Sequence, residues 1–168
     1  MTPAEREIEL ERLHAAGFAW ALACCGRRRE EAEDVLQASY LKILDGRARF
    51  AGRSSFMTFL FGVIRRTAAE ERRRAAIRGL FLGSAKAKGS LGGVEAPAGE
   101  VAPVEHLALR AALEGLSRRQ REVLELVLSM GMTLQEAAET LSLSVGSVRV
   151  HYERGKRRLA AVLGGGRA

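Results

Sequence analysis

The sequence predicts an all-α protein in which two small helical domains are joined by a flexible linker. Three observations carry that expectation. Apolar residues recur at helical spacing on both sides of a glycine-rich stretch, Gly79 to Pro103. Neither flank holds an interior proline or an alternating strand-type run. The charge also divides at that stretch. With 168 residues the chain has room for one ordinary domain or two small ones, and a 47% hydrophobic composition supports a packed core, which excludes a wholly disordered chain.

The first domain is expected over residues 1–78. Leu10, Leu13, Gly17, Trp20 and Cys24 follow the i, i+3, i+7 spacing of one helix face. A second helix spans Glu30 to Leu44, with Val35, Leu36, Ser39, Tyr40 and Ile43 spaced for burial and Gly46 ending it. A third starts near Phe56, buries Leu60, Val63, Ile64 and Thr67, and runs to about Arg78. The linker, residues 79–103, holds six Gly and two Pro and keeps no period; a flexible coil of that length has an end separation of roughly 25–30 Å.

The second domain, 104–168, is better punctuated. Ser117 with Gln120 and Thr133 with Glu136 match the capping box, in which the hydroxyl takes the N3 amide and the Glu or Gln reaches back. The helix after Ser117 is expected to bury Val123, Leu124, Val127 and Leu128 and to stop near Gly131. The helix after Thr133 is short and ends around Leu141. Ser144 then caps a last helix to about Leu163, where three glycines stop it.

The formal net charge is +7. Met1 to Arg74 has 14 basic and 11 acidic residues, Ala75 to Leu109 has 3 of each, and Arg110 to Ala168 has 10 and 6. Two basic lobes flank a neutral tether, which points to a polyanion. In the second lobe, two helices joined by a short turn, the second one basic, suggest a helix-turn-helix. Ala138 supplies the small residue where the two helices touch, and Val148 the buried β-branched residue of the second. Ser142 stands where such a turn usually has Gly, and fits either with negative φ or with modest strain. Ser147, Val150, His151 and Arg154 fall along one side and can face a groove. Arg149, Lys156 and Arg157 flank it, the guanidinium fork suiting guanine edges or phosphate. The plain alternative is a solvated basic helix that complements its own dipole, with His151 a surface residue.

Glu31-Ala-Glu-Asp-Val-Leu-Gln37, Tyr40-Leu41, the run Phe50 to Phe61, Ile64-Arg65-Arg66 and Arg72 to Arg74 together resemble region 2 of the extracytoplasmic-function (ECF) sigma factors. Leu116 to Leu163 resembles region 4 of the same family, with Gly146 to Arg154 at the recognition-helix signature. The resemblance implies a promoter-specificity subunit that binds core RNA polymerase and promoter DNA and directs recognition, melting and initiation. In the family the helix carrying Asp34 and Gln37 docks on the clamp coiled coil of the largest polymerase subunit, so Asp34, Gln37, Leu41 and Lys42 inherit that role. Without the resemblance, the acidic start of this helix reads as a dipole complement.

By the same resemblance, the loop from Gly46 to Ser55 and the helix after it would hold the −10 element. A flipped base needs polar edges and an apolar wall, which Phe50, Arg53, Ser54, Ser55 and Phe56 offer; Arg65, Arg66 and the later arginines suit phosphates. The plain alternative for Phe50 and Phe56 is core packing. Phe59 stands where the family often has Trp. Arg66 stands where it often has an Asn that helps read the flipped base, so the usual −10 preference is not carried over. Ser144, Ser147, Arg149, Val150, His151, Arg154, Lys156 and Arg157 are the candidate −35 contacts. Val150 replaces a common Ser and can touch a thymine methyl but not hydrogen-bond a phosphate. An anti-sigma partner is also implied, though no residue identifies one.

No metal or cofactor is expected. Cys24, Cys25 and His14 lack the paired ligands of a zinc site, and adjacent cysteines cannot staple distant segments. No glycine loop has phosphate-binding spacing, and no Ser, His and acid set suggests an enzyme. No apolar run approaches the roughly 20 residues of a membrane span, and the first residues lack the apolar core of a signal peptide. The expectation is therefore a cytoplasmic chain. The competing reading is a stand-alone helix-turn-helix regulator, which leaves the pattern from Glu31 to Arg74 as coincidence.

Overall fold

The computed structural model describes residues 1–81, 113 and 115–164. The chain divides into two compact units, Met1–Gly93 and Val94–Ala168, and the described residues are helical throughout apart from turns and loops. The expected linker falls outside the described residues beyond position 81.

Four helices build the first unit: α1 (Pro3–Arg12), α2 (His14–Cys24), α3 (Arg29–Leu44) and α4 (Phe56–Phe81). Thr2 opens α1 with a full capping box, its hydroxyl accepting from the Glu5 amide and the Glu5 carboxylate accepting in return. The hydrogen bond from the Thr2 amide holds the Glu5 carboxyl below its ordinary range. The single helix expected across Leu10 to Cys24 is two. The chain bends at Leu13 (φ −93°, ψ 5°), and the bend lays α1 across α3, where Arg6 donates to the Ile43 carbonyl at 3.2 Å. Leu10, Leu13, Gly17, Trp20 and Cys24 are nevertheless all buried, so their spacing reported the core correctly and the helix boundary wrongly.

Trp20 is at the centre. Its ring stacks on Phe61 at 5.9 Å between centroids, and Nε1 donates to the Phe61 carbonyl at 3.0 Å, satisfying a buried donor. Val35, Leu36, Ile43, Leu60, Val63 and Ile64 close around it. Tyr40 is only half-buried, its hydroxyl reaching the Leu10 carbonyl at the edge. Gly17 permits this density, since a Cβ there would come within 3.3 Å of a Leu36 methyl. Helix α4 continues through Gly79 to Phe81, because Arg72 to Leu80 propagate a turn already nucleated on the core.

The second unit has α5 (Arg118–Leu124), which runs on as a π-helical turn over Glu125–Ser129, then α6 (Leu134–Leu141) and α7 (Val145–Gly164). Both expected capping boxes form. The π turn overturns one expectation. Its wider winding, closed by Met130 N–H on the Glu125 carbonyl at 3.0 Å, rotates the helix face. Leu126 is therefore buried, whereas Val127 is half-buried and Leu128 is 57% exposed. Helices α5 and α7 cross closely at Gly155, where a Cβ would stand 2.8 Å from a Leu124 methyl.

Replacing Trp20 by Ala removes both the stacked ring and the donor, and is expected to cost about 3–5 kcal/mol. Urea unfolding followed by circular dichroism measures this, and a loss under about 1 kcal/mol would show that the first unit is not built on this contact.

Candidate functional site

Charge in the first unit is polarised along the chain. Met1–Gly46 carries 6 basic and 9 acidic residues, and Arg47–Phe81 carries 9 and 2. The basic segment is the loop after α3 together with α4. In that loop Gly46 and Gly52 take left-handed conformations (φ 78° and 70°). Asp45 accepts from the Arg47 backbone at 3.1 Å and from its Nε at 2.7 Å, and this guanidinium holds the Asp45 carboxyl below its ordinary range.

Beside the loop lies a hollow of about 480 Å³, floored by Phe59 and Val63 and ringed by Lys42, Arg47, Arg49, Arg66 and Arg74. Thr67 and Glu70 also line it. Lys42 Nζ donates to Thr67 Oγ1 at 3.1 Å and to Glu70 Oε2 at 2.6 Å, so it closes the space between α3 and α4. Phe59 packs against Phe50 and Phe56 with centroids 5.3 to 5.8 Å apart. The result is one aromatic ring, Phe59, braced by Phe50 and Phe56 and edged by basic side chains, of which Lys42, Arg47 and Arg74 are paired with Glu70, Asp45 and Glu71. Stacking and phosphate neutralisation are what a single-stranded nucleotide needs.

The expected −10 residues distribute unevenly around this hollow. Arg66 lines it and Arg53 is exposed on the loop. Phe50 is half-buried in the aromatic cluster, with Phe56 buried as the cluster's inner member. The Ser55 hydroxyl caps α4, accepting from the Thr58 amide at 3.1 Å, and Ser54 is half-buried beside it. Arg65 is half-buried and does not line the hollow. Sequence reasoning passed over Arg47, Arg49 and Glu70. The i, i+4, i+8 spacing of Arg66, Glu70 and Arg74 was the available signal.

On α3, Asp34, Gln37 and Leu41 stand exposed at i, i+3, i+7, one face. Leu44 extends that stripe by a turn; Leu41 is 59% and Leu44 42% exposed, an apolar pair that folding does not use. Lys42 is turned instead toward α4. Glu31 and Glu33 are engaged by Arg28 and Arg29, and among the described residues no ion pair holds Asp34.

In the second unit, α6, the turn and α7 make the helix-turn-helix. Ala138 and Val148 are buried at the contact. Ser142 adopts the left-handed conformation (φ 53°, ψ 47°), with Ser142 N–H on the Glu139 carbonyl at 3.2 Å and Leu143 N–H on the Ala138 carbonyl at 2.9 Å. This is a Schellman closure with serine in the glycine position, so of the two ways Ser142 could fit, the strained one is realised. Ser144 caps α7 through the Ser147 amide at 3.1 Å. Ser147, Arg149, Val150, Arg154, Lys156 and Arg157 are exposed, and His151 is half-buried. Lys156 folds over the Tyr152 ring at 5.0 Å.

Cys24 and Cys25 are buried free thiols. Burial, helped by nearby Glu31, pushes the Cys25 thiol up to about 11, so it stays protonated near neutrality and behaves as a small apolar group.

A helix-turn-helix in one helical unit, with a basic hollow floored by Phe59 in the other, is the architecture of a DNA-binding protein. The Sigma-70 region 2 family matches residues 10–77 and the Sigma-70, region 4 family residues 106–159. The ECF RNA polymerase sigma factor SigX of Bacillus subtilis is 30% identical over 135 residues, spanning 78% of this chain and 70% of that protein. The ECF RNA polymerase sigma factor EcfG of Rhodopseudomonas palustris is 29% identical over 147 residues, 86% and 77% of the two chains. Solved structures share the fold. Two of them are the sigma factor RpoE with the anti-sigma factor NepR from Bartonella quintana (TM-score 0.70, 23% identity, covering 94% of this chain and 95% of that one), and CnrH with the cytosolic domain of CnrY (TM-score 0.63, 22% identity, 98% and 90%). The chain belongs to the ECF RNA polymerase sigma factor family. It is an RNA polymerase sigma factor, and that family is not an enzyme family. Among the described residues no helix is long and apolar enough to cross a membrane.

The left-handed Ser142 gives a direct check on the turn. A non-glycine residue there costs about 1–2 kcal/mol, and glycine returns about 0.5–1 kcal/mol of that as chain entropy. Ser142→Gly is therefore expected to stabilise the second unit by about 0.5–1 kcal/mol in chemical denaturation. A destabilisation would mean that the turn takes another conformation.

Proposed function

We propose that the first unit holds core RNA polymerase and the melted −10 element, and that the second reads the −35 duplex. The observation that carries this reading is the hollow beside α4. Its Phe59 and Val63 floor suits an unstacked base, and Arg47, Arg49, Arg66 and Arg74 suit the phosphates on either side. Exposed Glu70, one of whose carboxylate oxygens is held by Lys42, offers the other to the base edge, with Arg66 adding a donor. Arg53 reaches the strand from the loop tip. Phe50, Phe56, Ser54 and Ser55 act by holding that loop in shape, and Arg65 lies along the phosphate track.

Polymerase engagement falls to the exposed stripe of α3. Asp34 and Gln37 supply polar contacts and Leu41 an apolar anchor, while Lys42 positions the stripe by tying α3 to α4. In the second unit the N-terminal half of α7 enters the major groove with Ser144, Ser147, Val150, His151 and Arg154, and Arg149, Lys156 and Arg157 hold the backbone. Residues 1–78 and 104–168 are the two working domains in this reading, with 79–103 as their tether. The chain itself recognises and melts; the bond-making chemistry is the polymerase's, which places its action in the cytoplasm. The solved complexes of similar sigma factors with anti-sigma factors support an anti-sigma partner for this chain too.

A stand-alone helix-turn-helix regulator would leave the cationic hollow and the α3 stripe without a role. The family match over residues 10–77 counts against it.

Separating the two surfaces tests the assignment. Asp34→Arg combined with Gln37→Ala is expected to weaken core polymerase binding at least tenfold, while promoter selection survives at saturating protein. Arg149→Ala combined with Arg154→Ala is expected to leave core binding intact, to reduce the slope of log affinity against log salt by about 1 through the lost Arg149 phosphate contact, and to relax base preference through Arg154. Equal losses of both double variants in both titrations would overturn the division of labour.

A further inference from the structure

Two residues on the outward face of α7 run against helix physics with no return inside the fold. Val150 is 47% exposed. A β-branched residue at an exposed helix position loses χ1 freedom and, uncovered, gains no burial. Gly146 lies one turn earlier on the same face. No close neighbour requires it: a Cβ at position 146 would meet only the Ser144 hydroxyl, at 3.9 Å. Glycine in a helix is unfavourable for its backbone entropy. Departures from local propensity that folding does not repay mark functional positions.

The neighbouring side chains sharpen the reading. Ser147, beside Gly146, has its hydroxyl 2.9 Å from that of Ser144 and so stays close to the helix start. Gly146 and Ser147 leave the first turn of α7 with a low profile, and Val150 is the first bulky group beyond Gly146 on that face. Arg149 and Arg154 stand to either side as exposed donors. An apolar side chain with restricted rotamers, set behind a shallow shelf and flanked by cations, is complementary to one feature of duplex DNA. The C5 methyl of thymine is the apolar patch that the bases display on the floor of the major groove.

We propose that Val150 is a specificity-determining residue that reads a thymine methyl, and that Gly146 gives the helix the clearance to bring it there. This rests on the reading of α7 as the helix that enters the duplex.

The test uses the full chain with core RNA polymerase and a duplex selected by that holoenzyme from a randomised library. Each thymine in the selected site is replaced in turn by deoxyuridine, which removes only the methyl. One position is expected to lose about fourfold in affinity, the share of one buried methyl group. Val150→Ser is expected to bind the thymine and deoxyuridine duplexes equally at that position. Gly146→Leu is expected to keep or raise thermal stability yet weaken binding severalfold, a combination that a merely structural glycine would not give. Selective binding that is indifferent to every deoxyuridine overturns the inference and leaves the duplex-reading assignment standing. So does an unchanged deoxyuridine penalty in Val150→Ser, or full binding by Gly146→Leu. Absence of any selected duplex overturns that assignment and the inference with it.

Discussion

The indole of Trp20 lies flat against Phe61 and donates to the Phe61 carbonyl, and this contact fixes how α4 is turned about its own axis. A helix has one angular setting for all its residues. Once Phe61, Ile64 and Ala68 face the core, Arg66, Glu70 and Arg74 must face outward together, and the hollow beside the loop acquires its charged wall. Lys42 completes it from α3 through Thr67 and Glu70. On α3 the burial of Val35, Leu36, Ser39 and Ile43 against the same core leaves Asp34, Gln37 and Leu41 on the outer side. Both candidate surfaces of the first unit thus follow from the packing of one core.

The second unit solves the same problem with a turn. Ser142 in the left-handed region sets the angle between α6 and α7, and the close crossing at Gly155 seats α7 on α5. With Val148 buried between them, the residues one helical step away are pushed to the surface. The strain accepted at Ser142 is small beside the burial it permits.

Much of this could be read from the residues. Periodicity found the buried face of every helix in the first unit, because the inward residues of a helix recur whatever its ends do, and the capping boxes at Ser117 and Thr133 formed as spaced. What could not be read was geometry that depends on distant partners. The bend at Leu13 follows from the docking of α1 on α3, and no residue near it marks a break. The π turn after Leu124 moves Leu128 to the surface by a local change of winding that the α-helical period cannot anticipate. The cationic hollow joins α3, a loop and α4, so Arg47, Arg49 and Glu70 gained meaning only when the fold placed them beside Arg66. Lys42, to which the resemblance assigns a polymerase contact, has its ammonium on Thr67 and Glu70, a pairing across 25 and 28 residues that local spacing does not show.

The positive charge of the chain is an average over opposed parts. The first 46 residues are net acidic, the loop with α4 is strongly basic, and α7 presents exposed arginines. Under the proposed function, such separation would steer two segments of one polyanion to two places and leave the exposed stripe of α3 for a protein partner. The most direct measurement is transcription itself. Core RNA polymerase, this chain and a template carrying a duplex selected by the reconstituted holoenzyme should yield transcripts starting at a fixed distance from the selected element, with none from core alone. A chain that binds core and the duplex yet gives no discrete starts would contradict the account, because the hollow beside α4 would then not be holding an opened strand.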